Sequence, residues 1–75
     1  MKKDAILIQD VQLGSVFEYL GTLYLKNSNR GYTKSLNLTT MVRDSFGMNT
    51  YCTVHFTKQE TIAFFAKIKI KLNEE

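Results

Sequence analysis

The glycines of this proline-free chain constrain its fold more than any other feature. They stand at positions 14, 21, 31 and 47 of 75 residues and leave short segments of six and nine residues between the first three. Strands of about five residues fit between such turn residues, whereas the average helix needs about eleven. The spacing therefore predicts a mainly β fold, in a single domain that covers residues 1–75.

The clearest strand pattern is a hairpin around Gly21. β-favouring residues run from Val16 to Leu20, and Thr22–Lys26 alternates between polar and apolar side chains. Two such runs joined by a short glycine-containing turn are typical of a β-hairpin. We therefore expect a tight turn near Leu20-Gly21. The run Asn27–Gly31 is rich in turn residues and predicts a loop at the far end of the second strand.

Two further strands follow, separated by a long segment without periodicity. Tyr32–Leu38 predicts a third strand, and Tyr51–Phe56 predicts a fourth. In the fourth strand Cys52, Val54 and Phe56 are expected to face the core, since alternate residues share a face. The intervening residues 40–50 are expected to form a loop, and loops of that length in small domains are commonly functional.

The C-terminal segment is compatible with two structures. Thr57 and Glu60 have the spacing of a helix capping box. Apolar residues also occupy six consecutive even positions from Ile62 to Leu72, which indicates a strand. The alternation covers more of the apolar residues, so we favour a strand over residues 61–72, entered through a helical turn near residues 57–61. About five strands then predict a small SH3-like or OB-like, partly open barrel.

The segment from Val11 to Lys26 resembles the opening hairpin of short SH3-like proteins encoded by tailed bacteriophages. The positions that carry the resemblance are Gly14, Phe17, Gly21, Tyr24 and Lys26, with Phe56 before a polar turn further on. The resemblance covers about a third of the chain. It implies a fold and a phage origin, and it carries no catalytic residues. The long segment 40–50 departs from the family, whose middle section is tighter.

Composition argues against catalysis and against a membrane segment. One Cys cannot form an internal disulfide, and the single His lacks partners for a zinc site. The carboxylates are scattered, and the glycines lack the spacing of a phosphate-binding loop. We therefore expect no enzyme, no metal and no cofactor. Apolar runs are too short to span a bilayer, and Asp4 and Asp10 interrupt any signal peptide, so a cytoplasmic location is expected.

The first candidate binding surface combines tyrosines with cations in a stretch that contains no acid. Its residues are Tyr24, Lys26, Arg30, Tyr32 and Lys34. If they share a face, the rings could stack on bases while the cations hold phosphates. The alternative is that Tyr24 packs against the sheet and the cations only solubilise it.

The second candidate is the long segment 40–50, which carries large side chains on an otherwise polar background. Its candidate residues are Met41, Arg43, Phe46 and Met48. Such a loop either closes one end of the barrel or binds another protein, because Met, Phe and Arg are enriched at interfaces. Lys67, Lys69 and Lys71 near the C-terminus are expected to be solvated residues that protect an edge strand.

These features favour a non-enzymatic binding protein of phage type that binds a bacterial host protein and modulates or inhibits it. One alternative is a nucleic-acid-binding accessory protein, which the net charge of +3 permits. The other alternative is a structural or assembly subunit that forms a homo-oligomer through the C-terminal strand.

Overall fold

The computed structural model describes residues 5–28, 33–47 and 49–67. Within these ranges the chain forms six strands, a 3-10 turn and an α-helix. They are β1 Ala5–Leu7, the 3-10 turn Ile8–Asp10, β2 Val16–Tyr19, β3 Thr22–Lys26, β4 Thr33–Asn37, β5 Arg43–Phe46, β6 Tyr51–Phe56 and α1 Lys58–Lys67. The strands form one antiparallel sheet in the order β1-β6-β2-β3-β4-β5.

The sheet is strongly curved. In a flat sheet β5 would lie about 14 Å from β2, because three strand spacings separate them. The ring of Phe46 on β5 instead lies 5.2 Å from Tyr19 and 5.7 Å from Phe17, both on β2. The mainly β prediction is therefore confirmed, as a small sheet consistent with a partly open barrel.

The concave face of this sheet holds the main core. Phe17 and Tyr24 are register partners on β2 and β3, and their rings stack at 5.4 Å. The buried members of this core are Ile8, Val11, Phe17, Tyr24, Phe46 and Cys52. The predicted hairpin is confirmed, since Leu20 and Gly21 form a two-residue turn between β2 and β3.

The end of β6 differs from the prediction. Phe17 pairs with Val54 but Val16 pairs with Phe56, so β6 contains one extra residue at His55. Directly paired residues share a face, and successive residues of a strand alternate. The shift therefore places Phe56 beside Val16, on the face opposite Val54. The prediction that Phe56 faces the main core with Cys52 and Val54 was wrong, because alternation cannot anticipate a bulge.

Two other sequence predictions are corrected. The expected loop 40–50 contains β5, which adds a strand to the sheet. The expected strand 61–72 is helical through Lys67, and its remainder lies outside the described residues. The capping box decides this: Thr57 N donates to Glu60 Oε1 at 2.8 Å, and Glu60 N donates to Thr57 Oγ1 at 3.2 Å. The helix docks through Phe64, whose ring stacks on Phe56 at 5.5 Å.

Candidate functional site

The structure does not bring the predicted tyrosine and lysine surface together. Tyr24 is paired with Asn37, and Lys26 is paired with Ser35, so these side chains share the concave face. Lys34 is the neighbour of Ser35 on β4 and therefore lies on the opposite face. Arg30 and Tyr32, the other members, lie outside the described residues. The exposed surface proposed for Tyr24 and Lys26 is thus corrected to a buried one, and for Tyr24 the alternative of packing against the sheet holds.

Lys26 is an internal anchor, with only 1% of its surface exposed. Its ammonium group donates to the carbonyl oxygens of Ile8 at 2.8 Å and Gln9 at 3.1 Å, and to that of Val11. These carbonyls belong to the 3-10 turn and the residue that follows it. Burial lowers the pKa of Lys26, against the opposing effects of Asp10 and Cys52. Lys26 therefore holds the segment before β2 against the sheet, where no phosphate could reach it.

Tyr24 also lies inside the fold. Its ring packs edge-on against Phe46, with centroids 4.9 Å apart. Burial raises the pKa of the Tyr24 phenol, and the charges of Asp44 and Tyr19 add to that shift. The ring has no exposed face on which a base could stack.

The predicted loop residues separate into two groups. Phe46 is buried in the aromatic core and supports the curvature of the sheet, which agrees with the alternative that this segment closes the barrel and not with a binding role for Phe46. Arg43 lies on β5 and is half-buried, while Met41 precedes that strand and is 65% exposed. Met48 lies outside the described residues. Among the described members of this group, Met41 is the most exposed side chain.

Large exposed apolar side chains lie at the end of the strands that carries the β2–β3 and β4–β5 turns. Leu20 is 85% exposed in the β2–β3 turn, and Met41 and Val42 are exposed in the β4–β5 turn. Tyr51 begins β6, which runs antiparallel to β2 with Glu18 opposite Thr53. That register places Tyr51 at the same end as Leu20. The apolar end is defined here as Leu20, Met41, Val42 and Tyr51.

The backbone at the apolar end is unusual. Leu20 has φ +49° and Met41 has φ +62°, and these are the two non-glycine residues with positive φ in the described ranges. The left-handed region disfavours residues with a Cβ, and asparagine or glycine usually occupies it. With Gly21 at φ +79°, the β2–β3 turn has positive φ at both central positions, as in a type I′ turn. Both strained positions carry large apolar side chains into solvent.

The β4–β5 turn is held rigidly by Asn37. Its side-chain oxygen accepts hydrogen bonds from the backbone N–H groups of Thr39 at 2.8 Å and Thr40 at 3.1 Å. Its carbonyl accepts from Met41 N at 2.7 Å, and its own N–H donates to Val42 O at 2.9 Å. The side-chain amide of Asn37 donates to Asp44 at 3.3 Å. Met41 and Val42 are therefore presented by a preorganised turn.

The four side chains of the apolar end are uncharged, and the exposed Asp10 follows Leu7, the register partner of Tyr51, three residues along the chain. No charged residue occurs in the described segments 20–22, 38–42 and 49–51 that form it. The nearest charged residues along the strands are Glu18 on β2 and Arg43 on β5. Register places both on the convex face, because Glu18 pairs with Leu23 and Arg43 pairs with Leu36. An apolar surface with charged groups at its margin is suited to contact another protein.

Sequence reasoning identified Met41 but missed Leu20, Val42 and their grouping with Tyr51. Leu20 could have been found, since the first residue of a two-residue hairpin turn projects into solvent. Tyr51 alternates with the residues of its strand that were expected to face the core, and it is exposed. The grouping depends on which strands neighbour each other, which spacing along the chain does not give.

The described residues offer little reactive chemistry. No group of three or more His, Cys, Asp or Glu residues within ranges 5–28, 33–47 and 49–67 could hold a metal ion. Burial raises the pKa of the Cys52 thiol to about 11, so it stays protonated at neutral pH. In the same part of the chain, no helix is long and apolar enough to cross a bilayer.

Comparison with protein-family models, curated proteins and solved structures found no match for this chain.

Proposed function

We propose that this chain is a non-enzymatic binding protein that acts through its apolar end. Its partner is a protein, and the resemblance of the opening hairpin to small phage SH3-like proteins makes a bacterial host protein the favoured target. Binding would modulate or inhibit that target in the host cytoplasm. The proposal combines the apolar end of the structure with the resemblance of the opening hairpin to phage proteins.

One observation carries the proposal. Leu20 and Met41 combine a strained backbone with a large exposed apolar side chain, and they lie at the same end of one sheet. The strained backbone costs stability, and Asn or Gly at each position would avoid that strain. Backbone strain of this kind clusters at functional sites. Since these two positions do not serve the stability of the fold, we assign their side chains a role in contact with a partner.

A protein partner is favoured over nucleic acid by the placement of the cations. The nucleic-acid alternative needs Tyr24 and Lys26 at the surface, and both are buried. Phosphate contacts supply much of the affinity for nucleic acid, and the apolar end contains no cation. Burial of apolar side chains on a rigid turn favours protein contact instead, because little conformational freedom is lost on binding.

The test compares capture of bacterial lysate proteins by the full chain and by a Leu20→Asn/Met41→Asn variant. Asparagine tolerates positive φ, so the variant removes the apolar side chains without adding backbone strain. Ile62→Gln on α1 is the matched control, since Ile62 is an exposed apolar residue away from the apolar end. We expect capture to be lost in the double variant and retained in the control.

A captured protein is then purified and its affinity measured at two salt concentrations. Truncation of central contact residues commonly costs more than about 1 kcal/mol, so the double variant should bind at least about tenfold more weakly. Equal affinity of the double variant and the full chain would refute the apolar end as the site. Binding of a single-stranded oligonucleotide that weakens steeply with salt would favour the nucleic-acid alternative.

A further inference from the structure

We infer that the partner protein presents an arginine side chain to a site beside the apolar end, where the carboxylate of Asp44 binds the guanidinium group and the ring of Tyr19 stacks on it. The inference rests on the proposed function and names the chemistry of one contact in it. The curvature of the sheet brings the two residues together.

Asp44 lies on the concave face of the sheet, near the β4–β5 turn. It pairs in register with Ser35 and precedes Phe46 by two residues on β5, so these three side chains share a face. Strand β5 runs away from the β4–β5 turn, which places Asp44 nearer the apolar end than Phe46. Asp44 is half-buried, so part of it remains in contact with solvent.

Tyr19 takes the matching position on β2. It follows Phe17 by two residues on the same face, and β2 runs toward the β2–β3 turn, so Tyr19 is nearer the apolar end than Phe17. The ring of Phe46 lies 5.2 Å from that of Tyr19 and 4.9 Å from that of Tyr24. Strand β5 therefore passes close to β2 here, although β3 and β4 separate them in the sheet.

Tyr24 connects Asp44 with Tyr19. Its register partner, Asn37, donates a side-chain hydrogen bond to Asp44 at 3.3 Å. Burial raises the pKa of the Tyr24 phenol, and the charges of Asp44 and Tyr19 raise it further. Charge interactions weaken with distance, so Asp44 and Tyr19 are both neighbours of Tyr24.

The carboxylate of Asp44 has capacity for further hydrogen bonds. Among the residues that the structure describes, its hydrogen-bond partner is the neutral amide of Asn37, which occupies one of about four lone-pair positions. Ser35 beside it is fully buried, and its hydroxyl has no hydrogen-bond partner in that part of the chain. Buried hydroxyls are rarely unpaired, and a group with several donors on Asp44 would supply the partner that Ser35 lacks.

Two cations of the chain lie near Asp44 in the sheet and are directed elsewhere. Lys26, the other register partner of Ser35, donates to the carbonyls of Ile8 and Gln9. Arg43 precedes Asp44 on β5, so alternation places it on the convex face. A cation for Asp44 on the concave face therefore comes from another molecule.

Arginine fits this arrangement better than other cations. Its planar guanidinium carries five donors, binds both oxygens of a carboxylate and stacks on aromatic rings. A lysine ammonium is a hydrated point charge without a plane to stack. A divalent metal ion generally needs several oxygen ligands, and no group of three or more His, Cys, Asp or Glu residues in the described ranges could hold one.

The experiment titrates the full chain with Nα-acetyl-arginine methylamide at constant ionic strength and follows the backbone amide signals by NMR. We expect saturable shifts at residues 19, 24, 37 and 44, with a dissociation constant of about 10 mM, since one side chain offers few atoms for binding. The citrulline derivative, which has a similar shape and no charge, should bind at least about tenfold more weakly. The lysine derivative should bind about threefold more weakly or worse.

Three results of these titrations would overturn the inference. The first is the absence of shifts up to about 100 mM of the arginine derivative. The second is equal binding of the citrulline derivative, and the third is equal binding of the lysine derivative.

Variants assign the two contacts. Asp44→Asn removes the charge and keeps an oxygen for Asn37, so the arginine derivative should bind at least about tenfold more weakly. Glu18→Gln is the matched control, because Glu18 is an exposed carboxylate on the convex face, and its binding should equal that of the unmodified chain. Tyr19→Phe should retain most of the affinity, whereas Tyr19→Leu should lose about threefold or more. Equal affinity of the Asp44→Asn and Glu18→Gln chains, both folded by their NMR spectra, would refute the role of Asp44.

Failure of this inference and failure of the proposed function give different results. The titration uses the chain alone, and Leu20→Asn/Met41→Asn should still bind the arginine derivative because neither side chain belongs to this site. Loss of capture in that variant, without arginine binding by the unmodified chain, would keep the apolar end as a binding surface and exclude the arginine contact. Arginine binding with unchanged capture would support Asp44 and exclude the apolar end.

Discussion

The two ends of strand β3 each depart from the usual placement of side chains, in which charged groups are exposed and apolar groups are buried. At its C-terminal end, the charged Lys26 is buried and bonded to three backbone carbonyls. Before its N-terminal end, the apolar Leu20 is exposed in a strained turn. The first arrangement satisfies polar groups that burial would otherwise leave unpaired. The second satisfies nothing within the chain.

This difference separates stability from binding. A buried polar group that is fully hydrogen-bonded contributes to a unique fold, and its removal is expected to destabilise the chain. An exposed apolar group on strained backbone contributes no such internal contact, and its replacement should be neutral or stabilising. Substitutions at the two ends of β3 should therefore change stability in opposite directions.

The largest effect is expected in the core between these ends, at Phe46. Its ring contacts Phe17, Tyr19 and Tyr24, so Phe46→Ala should lower the free energy of unfolding by about 3 to 5 kcal/mol. Urea denaturation followed by circular dichroism measures this loss. A loss below about 1 kcal/mol would mean that Phe46 is a surface residue of the turn, like Met41.

Next in size is Lys26→Met, which keeps the length of the side chain and removes its donors. The carbonyls of Gln9 and Val11 then lose this donor, while that of Ile8 keeps the Val11 N–H, so the free energy of unfolding should fall by about 2 to 4 kcal/mol. Lys34→Met is the matched control, because Lys34 is an exposed lysine on the adjacent strand. If both variants unfold at the same urea concentration, Lys26 is not an anchor.

Lys26 and Phe46 also show how much of the fold could be predicted from the sequence. Local patterns predicted the β2–β3 hairpin, the bounds of β6 and the capping box, because each depends on neighbours in the chain. They did not predict that Lys26 and Phe46 are buried, since that depends on strands brought together by curvature. Alternation shows which residues share a face, and only the register across strands shows which face is covered.

The prediction for the C-terminal segment was wrong for another physical reason. The period-2 pattern from Ile62 to Leu72 indicated a strand, whereas the cap formed by Thr57 and Glu60 indicated a helix. The described part of the segment is helical. A helix begins where its first N–H groups find acceptors, so the local hydrogen bonds outweighed the apolar pattern.

A smaller effect is expected from pH, at Cys52 in the same core as Tyr24. Its native pKa of about 11 exceeds the ordinary value of 9.0, so between these values the native state keeps a proton that the unfolded state loses. Stability therefore falls as pH rises from 9 to 11, by about 2 kcal/mol from this group. The lowered pKa of Lys26 acts in the opposite direction.

Cys52→Val separates these contributions, since it removes the thiol and keeps an apolar side chain. Between pH 9 and pH 11, the free energy of unfolding of the variant should fall by about 2 kcal/mol less than that of the unmodified chain. Urea titrations at the two pH values give this difference. Parallel pH profiles for both chains would show that the thiol is not protected by burial.

The smallest effect on stability is expected at Leu20. This residue gives the direct test of the comparison between the two ends of β3. Leu20→Asn places a residue that tolerates positive φ in a turn whose second residue is already Gly21, giving the Asn-Gly pair that type I′ turns favour. The variant should unfold at higher urea concentration, with a gain of about 0.5 to 1 kcal/mol, while partner capture weakens. Leu23→Asn on the adjacent strand, where the side chain is half-buried and the backbone unstrained, should lose stability instead. If Leu20→Asn were destabilising, the leucine would have an internal structural role, and the exposed side chain could not be assigned to binding on grounds of strain.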